Sequence, residues 1–374
     1  MSRQFWSPQT RGDDHRRASS AFTHTSICNA PRTTSTTQDS QPFLQQHAIR
    51  NPSFKMAPIY KIALIQFQPK DVSPSENFSL SASYIRKAAS QGAQLAVLPE
   101  YHLTSWCPSH PDFLSSCVES CSYLSQYQSL AKELKIDIVP GTICEVHPSL
   151  SAEEVTATSS TGKDEERRVE VRNMAYFISG LTGEVVGRYQ KRNLWHPERE
   201  HLTAWGKEGG RHRGFDIPGL TFPDGTPVRG GMLICWDMVF PEGFRELIGD
   251  GVELVVIPSF WLVTEDFGEG DEGERERARR GEEEFLRGVV VTRAFENTAA
   301  VVFVNAGGLS QVGLPGVGNQ GGVMGVETEE MRVVEVDLGR GRGLERRYKI
   351  REDMRGVEWG YGVYHGEERK GGGR

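Results

Sequence analysis

Gly230-Gly-Met-Leu-Ile-Cys-Trp-Asp-Met-Val-Phe-Pro-Glu-Gly-Phe-Arg245 is the stretch on which the fold turns. A short apolar run stops abruptly at Cys235, and Pro241, Glu242 and Phe244 then open a helix. Proline suits the first helical position because its missing N–H would have no intrahelical partner, and a first-turn carboxylate complements the helix dipole. A thiol between a strand end and a helix start feels the positive end of that dipole, which lowers it below its reference pKa of about 8.5. A lone cysteine at a strand end is more often a small core residue. The catalytic reading therefore depends on partners elsewhere in the chain.

Two other apolar runs end in the same way. Gln94-Leu-Ala-Val-Leu-Pro-Glu100-Tyr closes on a carboxylate, and Glu184-Val-Val-Gly-Arg-Tyr-Gln-Lys191 closes on an ammonium. Ligand sites of open α/β sheets form outside the carboxyl ends of the strands. Three strands ending on Glu, Lys and Cys can direct those side chains into one crevice. A carboxylate there takes the thiol proton, and an ammonium faces the oxygen of a tetrahedral intermediate.

From Met56 onward, strands alternate with helices. The pattern predicts strands over Ile59 to Phe67, Leu95 to Leu98, Ile136 to Ile143, Met232 to Ile234, Leu254 to Ile257 and Ala300 to Val304, with a late edge strand at Val333 to Asp337. Met174 to Ile178 and Glu184 to Tyr189 read as a hairpin around Leu181-Thr-Gly183. Helices are predicted over Glu76 to Ser90, with Leu80, Tyr84 and Ala88 on one face, and over Tyr123 to Leu134. Such alternation with hairpins implies an α/β layered domain spanning residues 56–362. Two polar segments read as surface insertions, 149–170 and 264–287. The second holds ten acidic and five basic residues. Its position after Ser259-Phe-Trp261 also fits a lid at a pocket rim.

Residues 1–55 differ, with seven basic residues against three acidic ones and no sustained hydrophobic period. They read as a disordered arm upstream of a start at Met56. An Arg- and Ser-rich, acid-poor arm also fits a mitochondrial transit peptide. Residues 363–374 read as a flexible tail. A net charge of −7 argues against a generic nucleic-acid binder. No run of 18 apolar residues reads as a membrane span. Six irregularly spaced cysteines suit a reduced, cytoplasmic chain better than a disulfide framework. His102, Cys107, His110, Cys117 and Cys121 lack the paired spacing of a zinc site, so no metal is expected.

The ordered set of motifs resembles the nitrilase superfamily of carbon–nitrogen hydrolases. The matching blocks are Lys61-Ile-Ala-Leu-Ile-Gln-Phe-Gln68, Leu98-Pro-Glu100, Tyr189-Gln-Lys-Arg-Asn-Leu-Trp-His-Pro-Glu-Arg199 and Cys235-Trp-Asp-Met-Val-Phe-Pro-Glu242. Gly251-Val-Glu-Leu-Val-Val-Ile-Pro-Ser259 and Thr292-Arg-Ala-Phe-Glu-Asn-Thr298 follow in the family's order. The likeness implies an αββα sandwich whose protomers pair as a homodimer or higher homo-oligomer. It further implies Cys235 as nucleophile, Glu100 as general base, Lys191 as oxyanion-holding cation and a second glutamate. Glu198 is preferred to Glu200 for that last role, because Arg199 and, four residues on, Leu202 follow it as in the family pattern.

The implied chemistry is hydrolysis of a small amide or N-carbamoyl compound through a thioester, with no cofactor. Nitrile hydrolysis is the alternative, because true nitrilases more often carry Glu where this chain has Asp237. A catalytically inactive binding protein is opposed by the joint presence of Glu100, Lys191 and Cys235. Tyr101, Trp195, Trp236 and Trp261 lie near motif ends and are candidates to line the substrate pocket. The Gly307 to Gly325 region departs from the family pattern and reads as a loop and hairpin.

Overall fold

A computed structural model describes residues 57–148, 169–206, 210–263, 271–326 and 328–361. The N-terminal arm, most of the 149–170 insertion and the 363–374 tail lie outside the described residues. The first strand, β1 (Ile59–Gln66), shows how the layers arise. Its side chains alternate between two cores, as a strand buried on both faces requires. Tyr60, Ile62 and Leu64 point toward a second sheet, whereas Ala63 and Ile65 point toward helices. Each fully buried aliphatic side chain of this kind contributes about 1.5–3 kcal/mol.

Helix α1 (Pro74–Ser90) begins with proline in its first turn, Glu76 beside it and Lys87 in the last turn, all matched to the dipole. Its most buried face carries Asn77, Ser81, Ile85 and Ala88, with Leu80 and Tyr84 flanking it half-buried. The expected stripe is therefore rotated slightly. Strand β2 (Leu95–Val97), helix α2 (Phe113–Ser120), helix α3 (Tyr123–Leu134), strand β3 (Asp137–Val139) and strand β4 (Thr142–Pro148) follow. Strands β5 (Val169–Ile178) and β6 (Val185–Gln190) form the anticipated hairpin. The first sheet is completed by β13 (Glu330–Asp337), which pairs antiparallel with β1 at its edge.

The second sheet is built from β7 (Phe215–Thr221), β8 (Pro227–Met232), β9 (Leu254–Ser259), β10 (Ala300–Asn305), β11 (Gln311–Leu314) and β12 (Gly318–Gln320). Its central strands β8, β9 and β10 run parallel. Helix α4 (Pro241–Gly249) links β8 to β9, and helix α5 (Glu272–Asn297) links β9 to β10. Leu247, Leu286, Val289 and Val290 of these helices join the core of the second sheet. Helices α1 and α3 cover the other face of the first sheet. The layers are thus helix, sheet, sheet, helix. Short helices α6 (Gly339–Tyr348) and α7 (Ile350–Arg355) end the described chain. Among the described residues, no helix is long and apolar enough to cross a membrane.

The charge run of the 264–287 segment forms a solvated helix face in its described part. Residues 264–270 lie outside the described residues, while 272–287 forms the first half of the continuous helix α5. Asp271 caps it by accepting a hydrogen bond from the Glu274 N–H at 2.9 Å. Ion pairs of Glu276 with Arg279 and Arg280 then lace the exposed turns. Strand β7 and helix α6 were not anticipated. Pro218 and Gly219 interrupt the first, and three glycines dilute the helical signal of the second.

Candidate active site

Three strand ends converge at the seam between the two sheets. Glu100 lies three residues beyond β2, Lys191 directly follows β6, and Cys235 lies three residues beyond β8. The Lys191 Nζ is 2.8 Å from Glu100 Oε1 and 2.6 Å from Glu198 Oε1. All of these side chains are buried. Glu100 ties the sheets together. Its N–H donates to the Ser259 carbonyl at 3.2 Å, and its Oε2 accepts from the Phe260 N–H at 2.9 Å. The Cys235 thiol and the Glu100 carboxyl group lie close enough for each to shift the other's titration. Glu198 stands in a 3-10 turn, His196–Glu200, and accepts hydrogen bonds from the Trp195 N–H at 2.7 Å and the Tyr101 hydroxyl. Glu200, the competing candidate, is exposed on that turn.

The backbone is strained beside the chemistry. Cys235 adopts φ +44° and Tyr101 φ +53°, a region that non-glycine residues occupy only where the surroundings enforce it. Gly141, at φ +58°, lies directly behind the Glu100 loop. A Cβ there would meet the Pro99 carbonyl oxygen at 1.8 Å, so only glycine fits. Asp237 holds the cysteine turn from below. Its carboxylate accepts from the Ile234 N–H at 3.1 Å, the Asn193 N–H at 2.8 Å, the Asn193 side chain at 2.9 Å and the Tyr189 hydroxyl at 2.8 Å. The Cys235 turn is thereby tied to the loop that carries Lys191.

Burial pushes the Glu100 carboxyl up to about 7; the Lys191 ammonium pulls against this and the Glu198 carboxylate adds to it. Burial alone would lower the Lys191 ammonium, but Glu100, Glu198 and Cys235 outweigh it and hold the group above its ordinary value. Lys191 is therefore a fixed positive charge. The thiol departs from the sequence expectation. Cys235 opens a 3-10 turn, Cys235–Val239, that stands between it and α4. Burial raises the thiol, as do the Glu100 and Glu198 charges, and the Lys191 ammonium only partly offsets them. The resting group is a protonated thiol.

A cavity of about 270 Å³ opens above Cys235. Tyr101, Trp195, Trp236 and Trp261 all line it, as do Glu198 and Cys235. Trp106, Phe260, Leu262 and Glu282 also line it, and sequence reasoning did not single these out. It also missed Asn173, whose Nδ2 donates to Glu100 Oε1 at 2.8 Å. The hairpin register held that signal. Met174 pairs with Gln190, so Asn173 stands opposite Lys191, and the Lys191 N–H donates to the Asn173 carbonyl at 2.9 Å. Among the described residues, no three His, Cys, Asp or Glu side chains are grouped as a metal-ligand set.

Comparison with known proteins places this arrangement. The family model for carbon-nitrogen hydrolases matches residues 61–319. A deaminated glutathione amidase from Bos taurus is 29% identical over 215 residues, covering 57% of this chain and 58% of the relative. A nitrilase from Pyrococcus abyssi is 25% identical over 205 residues, covering 53% of this chain and 64% of the relative. The chain thus spans a little under two thirds of the length of the curated relatives it matches. A crystal structure of a carbon-nitrogen hydrolase from Helicobacter pylori superposes with a TM-score of 0.59 at 18% identity, covering 79% of this chain and 94% of the other. The last likeness is one of fold. With more than half its length matched by the family model, the chain belongs to the carbon-nitrogen hydrolases of the nitrilase superfamily.

Proposed function

We propose that the protein hydrolyses the C–N bond of a small amide through a thioester on Cys235. The observation that carries this reading is the buried cluster in which Lys191 sits 2.8 Å from Glu100 and 2.6 Å from Glu198, with Glu198 and Cys235 both lining the cavity. A thiol held protonated needs a base that takes its proton as the bond forms, and a carboxylate near neutrality is suited to that work. Glu100 accepts the S–H proton while sulfur attacks the carbonyl carbon. The carbonyl π electrons move to oxygen, which faces the Lys191 ammonium and the backbone N–H of Trp236. Protonated Glu100 then delivers its proton to nitrogen as the C–N bond breaks and ammonia or an amine leaves. Water attacks the thioester, with Glu100 again accepting the proton, and the acid departs with the thiol restored. No step calls for a cofactor.

The amidase names among the similar proteins support an amide over other substrates. Resemblance to a nitrilase supports a second reading, in which the same thiol attacks a nitrile carbon. Ammonia release from a panel of amides, N-carbamoyl amines and nitriles separates the two. Amide turnover with wild-type protein, and its loss in a folded Cys235→Ala variant, is the expected result. Turnover of nitriles alone would reverse the assignment, and unchanged turnover in the variant would end it.

A further inference from the structure

The cavity above Cys235 has an unusual balance of groups. Six of its ten lining residues are aromatic (Tyr101, Trp106, Trp195, Trp236, Phe260 and Trp261), and Leu262 adds a seventh apolar side chain. The rings form two connected runs. Tyr101 lies 4.9 Å from Trp106 and 5.9 Å from Phe260, centroid to centroid. Trp236 lies 5.4 Å from Trp261, which in turn lies 5.8 Å from Phe285. Among the described residues, the charged groups that line it are Glu198 and Glu282, both acidic, and the latter accepts a hydrogen bond from the Trp261 indole at 3.2 Å. The buried Lys191 ammonium, which is not among the described lining residues, is paired with Glu100 and Glu198.

These observations bear on the acyl group. Ring faces carry the negative part of the aromatic quadrupole, so a carboxylate laid on them is repelled, while another ring gains stacking and edge contacts. A carboxylate drawn into this cavity also sheds water among acidic neighbours, with no cation among the described lining residues to receive it. We propose, resting on the amidase reading above, that the pocket selects small amides with an apolar, aryl-bearing acyl group and turns away acyl groups ending in a carboxylate. Helix α5, which brings Glu282 to the cavity lining and Phe285 against Trp261, is the element that sets this choice.

The test uses the full-length protein and ammonia release from 3-phenylpropionamide, hexanamide, succinamate and 6-aminohexanamide. The expected order puts 3-phenylpropionamide first, with kcat/KM about 100-fold above that for succinamate. Trp261→Ala should lower kcat/KM for 3-phenylpropionamide about tenfold more than it lowers that for succinamate. Glu282→Arg, checked for native folding by circular dichroism, places a cation at the cavity lining and should narrow the gap between the two about tenfold. Preference for succinamate or for the cationic amide overturns the inference while leaving the amidase reading intact. A Glu282→Arg variant with an unchanged substrate ratio also overturns it. Absence of ammonia from every amide removes both readings together.

Discussion

Two carboxylates share the Lys191 ammonium, and their roles differ because of what else each one touches. Glu100 meets the thiol, the Asn173 amide and the Phe260 N–H, whereas Glu198 meets the Tyr101 hydroxyl and the Trp195 N–H. Glu198 raises the Glu100 carboxyl through its charge, so the pair is electrically linked. With Glu100 at about 7, it is protonated below that pH and cannot accept the thiol proton. The kcat/KM profile should therefore fall as pH drops through about 7, by about tenfold per unit. Glu198→Gln removes the neighbouring negative charge, lowers the Glu100 pKa and should shift this acid limb to lower pH. The plateau should also fall about 100-fold, because Lys191 loses one of its two anchors. A pH–rate profile of the variant checks both, and a limb that stays in place would show that another group titrates. Glu100, Lys191 and Cys235 were legible in the sequence because each ends an apolar run with a chemical group. Asn173 was hidden, since its position opposite Lys191 depends on a hairpin register that residue type does not announce.

Helix α5 has two halves of different character. Its first half is charged and ion-paired at the surface, and its second half buries Leu286, Val289, Val290 and Ala294 against the second sheet. Charge density in the first half masks a helical period, so the segment reads as an insertion until the apolar half anchors it. Exposed ion pairs of this kind contribute little, whereas a buried leucine contributes through both transfer and packing. Leu286→Ala should cost about 2–4 kcal/mol in chemical denaturation. Arg280→Ala should leave the midpoint unchanged, because its partner Glu276 is solvated. A large effect of Arg280→Ala would mean that the charged half is held by more than its own sequence. The same asymmetry suits the position. The buried half fixes the axis, and the solvated half carries Glu282 to the cavity lining.

At the scale of the molecule, the layer order followed from alternating apolar and amphipathic runs, while the C-terminal part was largely opaque. The family match ends at residue 319, yet β13 lies beyond it and pairs with β1 along all eight residues. Val334 and Val336 bury into the core between the sheets, with Val336 fully enclosed. A chain ending at Gln320 should therefore lose the near-ultraviolet circular dichroism of packed aromatics and accumulate as insoluble protein. A soluble, cooperatively unfolding truncation would show that the first sheet closes without its last strand.

That pairing joins positions far apart along the polypeptide, Ile59 with Asp337. Ribosomes add roughly 5–20 residues per second, so one flank of β1 waits roughly 15–55 s after emerging before its partner is made. Throughout that interval the nascent chain presents an open backbone ladder, the geometry most prone to joining a neighbouring chain. Yield during biosynthesis is thus tied to how this flank is guarded on the polysome, and a slower translation rate lengthens the exposure.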